Sequence, residues 1–232
     1  MIRLHIVAEG QAEEAFVNTS LAIHLGAFDI STDVRCVQTS RARHHTFRGG
    51  VSKYLKIKRD LQRWMKQDQA PDSFFTTMFD LYQLPKDFPE FERAKKAGDP
   101  YSRVHLLEKA FADDVSHLRF VPYIQLYEFE ALLLSDPSQF ATQFLDHDAP
   151  IKCLIDMVAQ HGSPELIDDG PDTAPSKRII EKIPEYKGAK VSAGPLIAGK
   201  IGISAIRRRC SHWTPRAPHP SPFPGRPRPR WR

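Results

Sequence analysis

The sequence predicts an α/β fold, a mostly parallel sheet flanked by helices with a helical C-terminal part. Three observations lead there. Apolar, β-rich stretches alternate with amphipathic helical ones, the pattern of strands joined by crossover helices. Three of the predicted strands end in acids, with Glu9 after the first, Asp80 after another, and Glu128 with Glu130 after a third. From residue 138 onward the readable elements are helical. The expected organisation is an α/β core over 1–136, a helical extension packed on it over 137–213, and a disordered tail over 214–232.

The opening stretch sets the pattern. Ile2, Leu4, Ile6, Val7 and Ala8 supply the apolar, partly β-branched content of a buried strand. Gly10 suits a sharp exit from it. A helix then runs from Gln11 to about Leu25, with Ala12, Ala15, Phe16, Thr19, Leu21, Ala22 and Leu25 largely on one face. Glu9 thus stands at the carboxyl end of a buried strand, where open α/β sheets build their sites. Glu13 and Glu14 fall in the first helical turn, where carboxylates favour the dipole. Three acids so close together are either a cation site or a helix start.

Asp33–Gln38 reads as a second strand, and 39–50 as a basic, His-containing loop. Residues 51–66 form an amphipathic helix. Val51, Tyr54, Leu55, Leu61, Trp64 and Met65 share one side, and Lys53, Lys56, Arg59, Arg63 and Lys66 the other. Phe74–Asp80 is the next strand. Pro85, Pro89 and Pro100 mark a loop with a short helix near 91–97, and 101–115 is helical with Val104, Leu107, Phe111 and Val115 as its stripe. Arg119–Tyr127 reads as a strand running into a helix over Glu128–Leu134, which stops near Asp136-Pro137. Helices are expected at 138–145 and 151–161, a polar loop at 163–175, a helix capped by Ser176 and stopped by Pro184, and a helix over 193–209 broken at a glycine.

Charge is sorted along the chain. The net charge of +5 comes from the tail, whose five arginines (Arg216, Arg226, Arg228, Arg230 and Arg232) face no acid; without them 28 basic residues balance 28 acidic ones. The basic balance alone therefore does not argue for nucleic acid. Residues 41–66, however, carry nine Lys and Arg against Asp60 alone. The tail has seven prolines in 19 residues and almost no apolar periodicity. Its composition fits either a nucleic-acid arm or translation in another reading frame. No apolar run approaches the 18 or so residues of a membrane span. No signal-peptide pattern opens the chain, and Cys36, Cys153 and Cys210 are widely spaced, so a reduced cytoplasm is expected and no zinc spacing is seen. His5, His44 and His45 have no partner at metal spacing.

Carboxylates at neighbouring strand ends suit hard cations such as Mg²⁺ or Mn²⁺. Such an ion can bridge phosphate oxygens while a carboxylate positions or activates water. The basic face of 51–66, with Lys53, Lys56, Arg59 and Arg63, suits a sugar-phosphate backbone or is simply a solvated surface. No phosphate-cradling glycine loop is present, so ATP is not expected as a ligand.

The strand–Glu-Gly–helix opening with Glu9, followed by a strand ending in Asp80, resembles the Toprim domain of topoisomerases, bacterial primases and the nucleases of the overcoming-lysogenisation-defect group. The body, about residues 2–213, more closely resembles an uncharacterised Toprim-related bacterial family, a domain of unknown function whose members often accompany an ABC-type ATPase in phage defence. The matching stretches are Ala8–Glu13, Phe79–Tyr82, Pro122–Gln125 running into Glu128–Leu132, Pro175–Ile179, and Gly194 to Cys210. The resemblance implies a cytoplasmic, divalent-metal-dependent nuclease acting in anti-phage defence on DNA or RNA. Glu9 would be its general acid or base, Asp80 its first metal ligand, and Glu13, Glu128 and Glu130 would complete the shell. Lys177 and Arg178 would help hold phosphate. The alternative is a non-catalytic interaction module docked on an ABC-type ATPase. Two departures bear on the choice: Tyr82 stands where the Toprim pattern has its second acid, and Tyr127 where the family tends to have histidine before Glu-Phe-Glu.

Overall fold

The computed structural model describes residues 1–37, 53–167, 170 and 173–213. The basic loop 39–50, the first residues of the helix expected at 51–66, part of the loop 163–175, and the Pro/Arg tail lie outside the described residues.

Four strands form one parallel sheet in the order β2-β1-β3-β4: β1 Ile2–Ala8, β2 Ile30–Cys36, β3 Ser73–Asp80 and β4 Ile124–Gln125. Central β1 pairs with β2 from Ile2↔Ile30 to Ala8↔Cys36, and with β3 from Arg3↔Ser73 to Ala8↔Met78. The chain leaves β1 in one direction and crosses back over it to reach β3. With right-handed crossovers, that reversal puts the first connecting helices on the opposite face from the next two.

The core shows this division. Ile6 and Met78 pack with Phe16, Val17 and the C-terminal helices, whereas Val7, Phe75 and Phe79 pack with Ile57, Leu61, Leu107 and Phe111. One face therefore carries α1 (Gln11–Phe16), continued through a π-helical turn at Val17–Leu21 into α2 (Ala22–Gly26). The wider π turn inserts a residue into the helical phase. Val17 is accordingly fully buried, and Thr19, expected on the apolar face, is exposed.

The opposite face carries α3 (Tyr54–Gln67) and, after the short α4 (Phe91–Ala94), α5 (Pro100–Val115). The stripe Val104, Leu107, Phe111 and Val115 is buried as expected. In α3 the buried side is Tyr54, Ile57, Leu61, Trp64 and Met65; Leu55, expected among them, is 49% exposed. A 100° step per residue sets Leu55 off the line through 54, 57, 61 and 65, and Ile57 takes its place in the core. Helix α3 runs back against the strands. At its start the Tyr54 N–H is held by Asp87, beyond β3; just past its end Asp68 binds Arg3 at 3.0 Å and His5 at 2.8 Å on β1.

The third strand-to-helix unit is shorter than expected. Pro122 offers no N–H to a ladder. Phe120 makes an isolated bridge to Phe75, and only Ile124–Gln125 forms β4. Tyr127 adopts a left-handed φ of 61°, which delays α6 to Glu130–Leu133 and leaves Glu128 ahead of it. The helix expected at 138–145 is a 3₁₀ segment, Pro137–Thr142. The remaining helices are α7 Asp148–Ala159, α8 Pro175–Lys182, α9 Tyr186–Ile201 and α10 Ile203–Arg209. Pro175 sits in the first turn of α8 with Ala174 at the cap, so Ser176 is not the cap residue. Gly202, at φ 79°, separates α9 from α10.

The orientation of α3 is testable by urea denaturation. Ile57→Ala, at a fully buried site, is expected to cost about 2–5 kcal/mol. Leu55→Ala should cost under about 1 kcal/mol, because half of that side chain is already in water. Equal losses would mean that the helix is rotated.

Candidate functional site

Sheet order fixes where a site can form. The connections from β1 and into β3 leave in opposite directions, so the carboxyl ends of these two neighbouring strands are the topological switch point at which such sheets form a crevice. Glu9 follows β1 and Asp80 ends β3. Glu9 N–H donates to the Met78 carbonyl at 3.0 Å, extending the ladder one residue past the strand. Asp80 N–H then donates to Glu9 Oε2 at 3.0 Å. The two acids thus lie side by side on one sheet edge.

Three more predicted residues join them. Gly10 N–H donates to Glu13 Oε2 at 2.9 Å, which makes Glu13 a helix-capping acid as well as a member of the group. Gly10 is extended, with φ −150°, a conformation open to any residue; its small size matters instead, since a Cβ there would lie 3.3 Å from Glu13 Oε2. Ser176 N–H, in the first turn of α8, donates to Glu128 Oε2 at 2.9 Å. Glu130, in the first turn of α6, receives the Tyr186 hydroxyl at 3.3 Å and pairs with Lys190 at 3.1 Å. Both partners come from α9. Gly194 of that helix is closely packed, as a Cβ there would lie 3.1 Å from the Tyr186 hydroxyl oxygen and 3.4 Å from Phe129.

The electrostatics are those of crowded acids. Burial pushes the Glu9 carboxyl up to about 8; the Asp80 N–H pulls it back, and Glu13, Glu128 and Glu130 raise it further. Asp80 is held well above the usual carboxylate range, first by burial and then by Glu9, Glu13, Glu130 and Glu128. Burial also raises Glu13, against its backbone hydrogen bonds, with Glu130 adding to the rise. Burial raises Glu130, and Lys190 opposes it.

This chemistry suits a hard divalent cation. All donors are carboxylate oxygens, and a positive charge would relieve their mutual repulsion. The oxygens are nevertheless spread among backbone partners. Among the described residues, the trio of His, Cys, Asp and Glu ligand atoms lying within 4.8 Å of one another is elsewhere, at His105, Glu108 and His212. Acids turning in from their N–H partners would have to close around an ion.

Of the basic residues, Lys53 stands at the start of α3 near the carboxyl edge of the sheet. Arg63 lies ten residues along, about 15 Å further from that edge at 1.5 Å per residue, and is ion-paired with Asp60 at 3.5 Å. Lys53, Arg59 and Arg63 are exposed and Lys56 half-buried. Lys177 is exposed on α8 next to Ser176; Arg178 donates Nε–H to the Thr173 carbonyl at 2.8 Å. Tyr82 and Tyr127, the two departures from the resembled pattern, are neighbours: Tyr82 N–H donates to the Tyr127 carbonyl at 3.2 Å, and the rings are 5.4 Å apart. His5 is held by Asp68 at 2.8 Å and stacks on Phe75, away from the acids; His44 and His45 lie outside the described residues.

A family model described as Domain of unknown function (DUF4276) matches residues 8–214. The chain belongs to this family. No curated protein and no solved structure matches it. The DUF4276 match takes in all five acids, both tyrosines, Lys190 and the helical C-terminal part. Sequence reasoning missed Lys190 and Tyr186, since an isolated Lys and Tyr on a C-terminal helix carry no signal until α9 is known to lie beside α6.

The raised acids have a pH consequence. Glu9, Asp80, Glu13 and Glu130 bind protons more tightly folded than unfolded. Their contribution to stability is complete below the ordinary carboxylate values, 4.5 for the glutamates and 3.8 for Asp80, and is lost as pH rises through the folded value, about 8 for Glu9. In metal-free protein, the melting temperature is expected to fall between about pH 4.5 and about pH 8, less steeply in Glu9→Gln. Millimolar Mg²⁺ should offset the fall most at the alkaline end, where the acids are already deprotonated. A flat profile, unaffected by Glu9→Gln, would contradict the crowding.

Proposed function

We propose that this protein is a divalent-metal-dependent phosphodiester hydrolase of the Toprim type, acting on nucleic acid. The observation that supports it most is the side-by-side placement of Glu9 and Asp80 at the β1/β3 strand ends, with Glu13, Glu128 and Glu130 near enough to raise both carboxyls. A bound Mg²⁺ or Mn²⁺ would supply positive charge at the scissile phosphate's oxygens. Asp80, Glu13, Glu128 and Glu130 would hold the ion. Glu9, beside the ion, would take the proton of the attacking water or return one to the leaving oxygen. The cations at the start of α3, exposed Lys53 and half-buried Lys56, together with exposed Lys177 on α8, contact the sugar-phosphate backbone without reading bases. The resemblance stated above adds anti-phage defence as the setting.

Two observations favour a second reading. Tyr82 packs against Tyr127 where the Toprim pattern has an acid, and Glu13 already serves as a helix cap. A Toprim-like module without catalysis, docked on an ABC-type ATPase, would carry its acids in this way.

The two readings differ in turnover. Under the first, Glu9→Gln and Asp80→Asn each abolish Mg²⁺-dependent cleavage of DNA or RNA with the fold intact. Neutralising Lys53 and Lys56 raises KM and flattens its salt dependence while kcat is retained, and Arg63 matters less than either. Wild-type protein that cleaves neither DNA nor RNA with Mg²⁺ or Mn²⁺, even with an ATPase partner present, would leave the second reading.

A further inference from the structure

A second cluster of ligating side chains lies outside the acid site. His105 and Glu108 are one turn apart on α5, and His212 follows α10. Their ligand atoms lie within 4.8 Å of one another. His212 Nε2 is 2.9 Å from Glu108 Oε1, and His105 Nδ1 is 3.4 Å from Glu108 Oε2. The donors come from segments 104 residues apart in the chain.

The surroundings hold two of the three groups in place. Glu108 Oε1 also accepts the Ile124 N–H at 3.0 Å, and His212 Nε2 lies 3.1 Å from the Ile124 carbonyl, so both polar groups of this residue on edge strand β4 meet the cluster. The His212 ring stacks on Tyr123 with centroids 5.3 Å apart, and its backbone N–H donates to Glu165 Oε2 at 2.9 Å. The His212 side chain is only 3% exposed and that of Glu108 15%, whereas the His105 side chain is 45% exposed. Two donors are thus fixed by packing, and the third closes from the solvent side.

Two imidazole nitrogens and one carboxylate oxygen form a donor set of a different kind from the all-carboxylate cluster. Nitrogen-rich sets of this size favour Zn²⁺ over Mg²⁺, with water in the fourth position. We infer that His105, Glu108 and His212 form a Zn²⁺ site that clamps the segment after α10 onto α5 and the β4 edge. The ion takes the place of the proton between His212 and Glu108, so binding releases protons.

The test uses the full chain, stripped of metal and titrated with Zn²⁺ in the presence of excess Mg²⁺. One equivalent should bind, raise the melting temperature, and give the tetrahedral visible spectrum when replaced by Co²⁺. Since the His105 side chain is 45% exposed and its pairing with Glu108 is a surface one, His105→Ala should lower the metal-free melting temperature only slightly while weakening Zn²⁺ binding by at least about tenfold. Asp80→Asn should retain the site in full. Absence of Zn²⁺ binding would overturn the inference, leaving a buried ion pair only. So would binding that survives His105→Ala, or that is lost in Asp80→Asn, since either places the ion elsewhere.

Discussion

Everything in this protein hangs on the pairing of β1 with β3. The chain makes β2 on one side of β1 and then crosses over to make β3 on the other. That one reversal assigns α1 and the C-terminal helices to one face and α3 and α5 to the other. It also puts the topological switch point, where such sheets form a crevice, at the carboxyl ends of β1 and β3. Because the strands are parallel and in register from Arg3↔Ser73 to Ala8↔Met78, Glu9 just past β1 and Asp80 at the last position of β3, one step beyond the residue opposite Glu9, reach the same edge. Both are acids, and the hydrogen bond from Asp80 N–H to Glu9 ties one strand end to the other.

The cost of this arrangement is electrostatic. Carboxylates in partial burial repel one another and take up protons that they would release in water. The protein answers with backbone N–H groups aimed at Glu9, Glu13 and Glu128, and with Lys190 and Tyr186 at Glu130. Helices α6, α8 and α9 are therefore coupled to the sheet through the acid cluster as well as through the apolar core. A helical part that looks like an appendage in the sequence supplies part of the walls and charge balance of the site.

The strands with strong apolar content, β1 and β3, were legible in the sequence, and so were their terminal acids and the stripe of α5. Their signal is local: side-chain character repeats at a period that one element satisfies alone. Less legible was whatever depends on a neighbour. The π turn after Phe16 turns Thr19 outward, a shift of phase that composition does not announce. Leu55 and Ile57 are alike in hydrophobicity, and only the core decides which is buried. Pro122 and the left-handed Tyr127 cut a nine-residue strand expectation to the two-residue β4. The contact of Tyr82 with Tyr127 joins two departures that look unrelated in the sequence. Spacing alone could not bring His212 to His105 and Glu108, because that meeting depends on where the chain goes after α10.

The central claim is that the acids at the β1 and β3 ends are a cation site and not a relic of one. A crystal soaked in Mn²⁺ and measured at the manganese absorption edge tests it most directly. The account predicts an anomalous peak in the crevice, coordinated by Asp80 and at least one of Glu9, Glu13, Glu128 and Glu130, with these side chains turned away from the N–H groups that hold them in the free protein. Carboxylates still bound to those N–H groups, with no peak among them, would contradict it.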